Sequence, residues 1–144
     1  MAGFTLIEVL VAVLVLAIGM LGVAALIVQG AKYNHDAYLR SQVSTLAYSI
    51  TDRMRVNTGN ANLYVTAYVA QPPVAGGNNP CDYTIAPPLF TNDLNCWYNE
   101  IDSALPPGST ASIVNSGLGV YTVALGWTDR ENQLHTVSYA FQPQ

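Results

Sequence analysis

One acidic side chain, Glu8, stands at the head of a long apolar segment. Residues 9–31 contain no Asp, Glu, Lys or Arg. About 20 apolar residues in a helix are enough to cross a hydrocarbon core of roughly 30 Å. An ionised carboxylate at the centre of a membrane helix costs about 2.5–3.5 kcal/mol on insertion scales, and such acids are usually paired. Glu8 therefore needs a cationic partner, which the apolar segment itself does not contain.

Two cysteines, Cys81 and Cys96, stand 15 positions apart in a segment without regular periodicity. Thiols of this kind could bind zinc, undergo redox exchange or form a disulfide. No histidine lies near them in the sequence to complete a zinc set, and the spacing is too wide for a redox pair. An exported domain behind a membrane segment faces an oxidising compartment, which favours the disulfide. In the chain-entropy model that bond stabilises the fold by roughly 3 kcal/mol.

The charges divide unevenly along the chain, whose net charge is −4. Residues 1–59 carry four basic and three acidic side chains, a balance of +1. Residues 60–144 carry one basic and six acidic side chains, a balance of −5. Because the phosphates of DNA bind Lys and Arg, a domain of this charge is disfavoured as a DNA-binding protein. We expect no nucleic-acid partner.

No set of residues typical of an enzyme or a metal centre is found in the sequence. His35 and His135 are single and far apart, and nothing resembles a nucleophile elbow, a phosphate-binding loop or a zinc-protease helix. We therefore expect no catalytic residues, no metal and no cofactor. Five aromatic residues could form a binding surface, although aromatics beside a small sheet more commonly pack in its core. They are Tyr64, Tyr68, Tyr83, Trp97 and Tyr98.

One long helix is predicted to carry the N-terminal features. Residues 4–57 contain no proline, and residues 4–29 form the apolar part, able to lie in a membrane or in the core of a filament. Beyond that part, apolar side chains recur every three or four positions, which predicts an amphipathic helix. Turn-forming residues after Val56 predict the end of the helix there.

Three charged residues, Asp52, Arg53 and Arg55, lie in the last turns of this predicted helix. Cations at the C-terminal end of a helix interact favourably with its dipole. The three residues either form local ion pairs at a solvated helix end, worth a few tenths of a kcal/mol, or contact a neighbouring subunit. Both interpretations stay open at this point.

The remaining residues predict a loop-rich region over 58–110 and a β-sheet over 111–144. Proline and glycine clusters predict a loop over residues 61–91, and a short helix is predicted from Thr91 or Asn92 to Ala104. Alternating apolar residues predict strands over 112–114, 120–127 and 134–141, with a hairpin loop at 128–132. We therefore expect an α+β fold in which the amphipathic half of the long helix covers one face of a small antiparallel sheet.

The string GFTLIEVLVAVLVLAIGMLG at the N-terminus resembles that of type IV pilins. A secretory signal differs, because its cleavage site follows a shorter apolar stretch. The resemblance implies that a prepilin peptidase cuts between Gly3 and Phe4 and methylates the new terminal residue. It also implies that Glu8 pairs with the Phe4 amine of a neighbouring subunit. Residues 1–3 then form a leader remnant, and because they lack the usual Lys or Arg we expect a truncated or recombinant start.

A second string, RSQVSTLAYSITDRMRVN at residues 40–57, resembles the helix of the PilV group of minor type IV pilins. Short stretches around Asp93, Trp97, Pro107 and Trp127 resemble the same group. Val43 and Val56 depart from the group's usual alanine, and residues 61–92 have no counterpart in the pattern.

The resemblance implies a structural subunit that helps to initiate or assemble the pilus, in a tip or priming complex. It implies a single-pass inner-membrane protein that later joins the pilus on the cell surface. The implied partners are other minor pilins, the major pilin, the prepilin peptidase and the inner-membrane assembly platform. Two alternatives stay open: a minor pseudopilin of a type II secretion system, and an adhesin or ligand-binding module that uses the loop at residues 61–91.

Overall fold

The computed structural model describes residues 5–71, 81, 88–129 and 131–143 of the chain. The chain divides into two compact units, residues 1–38 and 39–144. The first α-helix runs through both units. The elements are α1 (Leu6–Val56), a 3-10 helix (Thr58–Tyr64), β1 (Thr66–Val69), α2 (Leu89–Ala104), β2 (Thr110–Gly117), β3 (Val120–Thr128) and β4 (Leu134–Phe141). The predicted α+β fold, a long apolar N-terminal helix and a small antiparallel sheet, is confirmed.

The first unit consists of the N-terminal part of α1. Its large apolar residues from Leu6 to Val28 are all exposed within the chain. By length and composition this helix is able to cross a membrane. Each Val, Leu or Ile side chain gains about 1.5–3 kcal/mol when it is fully buried. Among the described residues, nothing covers the apolar surface of this segment.

The second unit is built on one antiparallel sheet with the strand order β1-β2-β3-β4. The inward-facing residues of β3 are buried at Tyr121, Val123, Leu125 and Trp127, whereas Thr122 and Ala124 between them are more exposed. The C-terminal part of α1 covers this face. Its buried positions follow one helical stripe, namely Leu39, Val43, Leu46, Ala47, Ile50, Thr51 and Met54. The amphipathic pattern read from the sequence thus forms the main layer contact of the core.

The second helix, α2, begins at Leu89, before the predicted start at Thr91 or Asn92. Pro88 precedes the first turn, and its carbonyl accepts hydrogen bonds from the backbone N–H groups of Thr91 (2.9 Å) and Asn92 (3.4 Å). Proline is well suited to the start of a helix because it needs no hydrogen-bond acceptor for its nitrogen. The predicted start is therefore two or three residues too late.

The predicted loop at residues 61–91 is wrong at its N-terminal end. The 3-10 helix continues to Tyr64, and β1 occupies Thr66–Val69 at the edge of the sheet, so strand residues lie outside the predicted sheet at 111–144. Four residues are too few to show a strand periodicity, and β1 is held by pairing with β2, Thr66 opposite Ile113 and Val69 opposite Thr110. Residues 72–80 and 82–87 of the predicted loop lie outside the described residues.

Candidate functional site

Glu8 lies in the first turn of α1, where its backbone N–H donates to the carbonyl of Thr5 at 3.1 Å. The side chain is exposed and lies beside Val9, Ala12 and Val13. Among the described residues, no cation lies within ion-pair distance of it. The dipole of α1 favours an acid at this end by only about 0.3–1 kcal/mol, less than the roughly 2.5–3.5 kcal/mol cost of an ionised carboxylate in a membrane interior. The described residues therefore do not supply the cationic partner that the sequence predicts for Glu8.

Gly3 and Phe4, the predicted processing site, lie outside the described residues, as does the leader remnant at 1–3. The predicted pairing of Glu8 with a Phe4 amine is therefore not tested by the geometry. The apolar segment that follows presents an unbroken surface, including a shallow groove at Gly19 lined by Val15, Leu16, Val23 and Ile27. In the part of the chain that the structure describes, no side chain lies within 4 Å of the position a Cβ would take at Gly19. That face is open to close approach by another helix.

The guanidinium of Arg53 bonds two residues of α2 within the second unit. Its Nη2 forms an ion pair with Glu100 of α2, and its Nη1 donates to the backbone carbonyl of Asp93 at 2.9 Å. Ser49 of α1 donates to the other oxygen of Glu100 at 3.0 Å. The Arg53 side chain is only 20% exposed. These bonds fasten the end of α1 to α2, a role that sequence reasoning did not assign to Arg53.

Asp52 and Arg55 remain on the surface and pair with each other at 3.0 Å. Their side chains are 70% and 53% exposed. The Arg55 guanidinium also lies 6.0 Å from the centre of the Phe141 ring at the end of β4. The local ion pair predicted for this helix end is present, and contact with a neighbouring subunit stays a prediction for Asp52 and Arg55.

Cys81 and Cys96 form a disulfide, with their Cα atoms 4.6 Å apart. The bond ties the described residue Cys81 to the buried side of α2. Glu100 lies close enough to complete a three-ligand set with the two sulfurs. Because both sulfurs are consumed by the disulfide, neither is available as a thiolate ligand for zinc.

Most of the aromatic residues considered as a binding surface pack inside the second unit instead. Tyr64 and Trp97 are fully buried, and the indole N–H of Trp97 donates to the carbonyl of Leu46 at 2.9 Å. Tyr68 stacks on Tyr98 with ring centres 4.0 Å apart. Burial, assisted by a hydrogen bond to Asp102, raises the pKa of Tyr68 to about 12. Tyr83 lies outside the described residues.

The second histidine, His135, belongs to the β3–β4 hairpin. Its Nε2 bonds the Asp129 carboxylate at 2.9 Å, and its ring stacks on Trp127. Asp129 also accepts the backbone N–H groups of Gln133 and Glu131 at 2.7 and 2.9 Å. The hydrogen bond from His135, followed by that from Gln133, lowers the pKa of Asp129 below its ordinary value. These contacts close a turn, and the residues described around them do not form a nucleophile–base pair.

Sequence reasoning missed the acceptors that hold the second unit together. Glu100 and Asp93 on α2 bind Arg53, and Asp102 binds Tyr68 and the backbone N–H of Gln71. All three acids were visible as the charged residues of the predicted short helix. Their partners were not, because those partners stand 31 to 47 positions away in the sequence.

Comparison with known proteins identifies one feature of the chain. A family model described as the prokaryotic N-terminal methylation motif matches residues 1–24. The chain carries a type IV pilin-like N-terminal signal. No curated protein and no solved structure matches the chain.

The methylation motif implies an assembly context of pili or pseudopili and processing by a prepilin peptidase. Proteins that carry it are structural rather than enzymatic. The motif and the apolar part of α1 together fit anchoring in a membrane before assembly. The match ends at residue 24, so it does not reach residues 40–57, on which the likeness to the PilV group depends.

Proposed function

We propose that this protein is a minor type IV pilin of the PilV kind, a structural subunit that helps to initiate or assemble the pilus in a tip or priming complex. The observation that carries the proposal is the first part of α1. Its apolar side chains have no cover within the described chain, and its first turn holds one acid, Glu8, without a cation. The methylation motif at residues 1–24 supports a pilin-like or pseudopilin subunit, and the minor-pilin role of the PilV kind rests on the likeness at residues 40–57.

In this proposal the apolar part of α1 first crosses the inner membrane as a single span. The prepilin peptidase then cuts between Gly3 and Phe4. The freed amine of one subunit pairs with Glu8 of the next, which offsets the cost of an ionised acid in an apolar environment. Because a helix bundle is itself apolar, transfer of α1 from lipid to filament costs little, and packing together with the ion pair sets the position of the subunit.

The partners that follow are the major pilin and other minor pilins, which supply the surrounding helices. The prepilin peptidase and the inner-membrane assembly platform act before and during assembly. The exposed pair Asp52 and Arg55 is a candidate contact with a neighbouring head. Arg53 already bonds Glu100 and Asp93 within the second unit. It can join the contact with a neighbouring head only if it makes those bonds as well.

Replacing Glu8 tests the proposal directly. The Glu8→Gln variant keeps the shape of the side chain and removes its charge, so the amine of the neighbour is left unpaired in an apolar bundle. We expect the amount of this protein in sheared filaments to fall at least tenfold, which corresponds to about 1.4 kcal/mol. Asp36→Asn, on the same helix beyond the apolar segment, is the matched control and is expected to stay within twofold. Unchanged incorporation of Glu8→Gln would contradict the proposal.

Mass spectrometry of the same filaments tests the processing step separately. We expect a mature chain that begins at Phe4 with a methylated amine. Recovery of the chain with Met1 retained would overturn the cleavage step.

A minor pseudopilin of a type II secretion system is the second candidate, because the methylation motif fits either assembly. The likeness of residues 40–57 to the PilV group favours the pilus. Deleting the protein from the producing bacterium separates the two, since a pilin is needed for surface pili and a pseudopilin for enzyme secretion.

An adhesin role for the loop at residues 61–91 would be seen as lost adherence with normal pilus number after the loop is exchanged.

A further inference from the structure

The turn between β2 and β3 presents one leucine in an unusual conformation. Gly117, Leu118 and Gly119 all have positive φ, at 91°, 52° and 75°. Glycine adopts this region freely, whereas a positive φ is rare for a bulky residue. The Leu118 side chain is 97% exposed. Among the described residues of the second unit, the most exposed large apolar side chain therefore lies on a strained backbone.

Polar side chains hold this turn from both sides. The Asn115 carboxamide accepts the backbone N–H of Gly117 at 2.9 Å, and Gln142 donates to the carbonyl of Leu118 at 3.2 Å. Asn115 in turn donates to Asn62, which also accepts the hydroxyl of Tyr121 at 2.7 Å. The turn is thus fixed to the 3-10 helix, to β3 and to the residues after β4. A leucine presented in this way is preorganised for contact, which lowers the entropy cost of binding.

Packing in the core of the second unit does not explain why position 118 is a leucine. Its side chain contributes nothing to the buried cluster, and Asn or Gly would adopt the same backbone more easily. An observed backbone outlier of this kind is a reason to look for a function outside the fold.

We propose that Leu118 inserts into an apolar pocket on the head of another subunit of the same filament. This inference rests on the proposed function and deepens it by naming a contact. The turn lies at the end of the sheet where Tyr121 pairs with Phe141, and Phe141 lies beside Arg55 in the last turn of α1. The partner is therefore a subunit that meets this head at the C-terminal end of α1.

The surroundings of Leu118 define the chemistry of that partner. Residues 103–128 contain no charged side chain, and the polar neighbours of the turn are amides and hydroxyls such as Asn115, Ser116 and Gln142. The pocket should accordingly be apolar, with an uncharged rim that exchanges hydrogen bonds. Depletion of charge around a central apolar anchor is typical of protein interfaces.

Insertion into a lipid surface is the competing explanation for an exposed leucine. Residues 60–144 carry a balance of −5, which disfavours approach to anionic lipids, and the turn has no Lys, Arg or Trp of the kind found at membrane surfaces. The observations favour a protein pocket.

Photo-crosslinking of the full chain in the producing bacterium tests the contact. A benzophenone amino acid is placed at position 118, the cells are irradiated, and adducts in purified filaments are mapped by mass spectrometry. Leu134 is the matched control position, because it is 71% exposed but lies opposite Thr128 at the other end of β3. We expect an adduct from position 118 to the head of another filament subunit at a yield at least fivefold above that from position 134. Equal yields, or adducts with lipid alone, would overturn the inference.

Substitution gives a second readout. Leu118→Asn is expected to leave the thermal midpoint unchanged or raised and to lower incorporation into filaments at least tenfold. Leu118→Met, which keeps the apolar bulk, and Leu134→Asn are expected to stay within twofold. Normal incorporation of a folded Leu118→Asn protein would overturn the contact alone. Absence of the unsubstituted protein from filaments would overturn the proposed function and this inference together.

Discussion

Replacing Arg53 with methionine should destabilise the second unit, because Arg53 joins α1 to α2 by two bonds. The hydrogen bond to the carbonyl of Asp93 is 2.9 Å long and has a charged donor, which makes its net worth about 1.5–3 kcal/mol. The ion pair with Glu100 is partly solvated, with the two side chains 20% and 32% exposed, so it adds at most about 1 kcal/mol. Methionine retains most of the apolar stem. We expect a loss of about 2 kcal/mol, equivalent to roughly 8 °C in a domain of this size.

Arg55→Met is the matched control, since Arg55 lies two positions away on the same helix and is exposed. Its pair with Asp52 and its contact with Phe141 should together contribute less than about 1 kcal/mol. Thermal unfolding of the full chain in detergent, followed by near-ultraviolet circular dichroism of the buried Trp97 and Trp127, measures both variants.

A double-mutant cycle with Glu100→Gln should give a coupling energy of about 0.5–1 kcal/mol for the Arg53 ion pair. Equal losses for Arg53→Met and Arg55→Met would refute the assignment of Arg53 to the interior. A variant that unfolds normally yet fails to enter filaments would instead place Arg53 in a contact between subunits.

Three further outcomes are expected for the second unit. The pKa of Asp129 is lowered first by His135, so its contribution to stability is present above its ordinary pKa of 3.8 and is lost as the pH falls below that value; Asp129→Asn should flatten the acid limb of a plot of unfolding free energy against pH. The pKa of Tyr68 is raised to about 12 by burial and by Asp102, so its contribution to stability is complete below pH 10 and is lost as the pH rises through 12. Tyr68→Phe should remove a tyrosinate absorbance step near pH 12. Reduction of the Cys81–Cys96 bond should cost roughly 3 kcal/mol in chemical unfolding, whereas no change in the midpoint would show that the bond closes no constrained loop.

The long helix and the two C-terminal strands were predictable because their signals are local. The stripe from Leu39 to Met54 repeats at helical spacing, and the alternation in β3 and β4 has a period of two. Both patterns arise from the geometry of a single element meeting a core. The strand β1 had no such signal, since its four residues are stabilised by pairing with β2, which is a long-range contact.

The residues of the candidate site also differ in how far the sequence predicts them. Glu8 was recognisable because the cost of its charge depends only on the apolar residues around it in the sequence. Arg53 was recognised as a charged residue at a helix end, but its bonds to Glu100 and Asp93 depend on the packing of α2 against α1.

The sequence by itself determined that this chain has an apolar N-terminal helix with one acid, Glu8, in its first turn and no basic residue in the apolar segment, because charge and hydrophobicity are properties of the residues in order. The tertiary structure alone decided which charges remain available to a partner. Arg53 bonds α2 within the second unit, whereas Asp52 and Arg55 remain exposed on its surface. Leu118 is exposed on a turn that Asn115 and Gln142 hold by hydrogen bonds. These assignments depend on residues far apart in the chain, and only folding brings them within bonding distance.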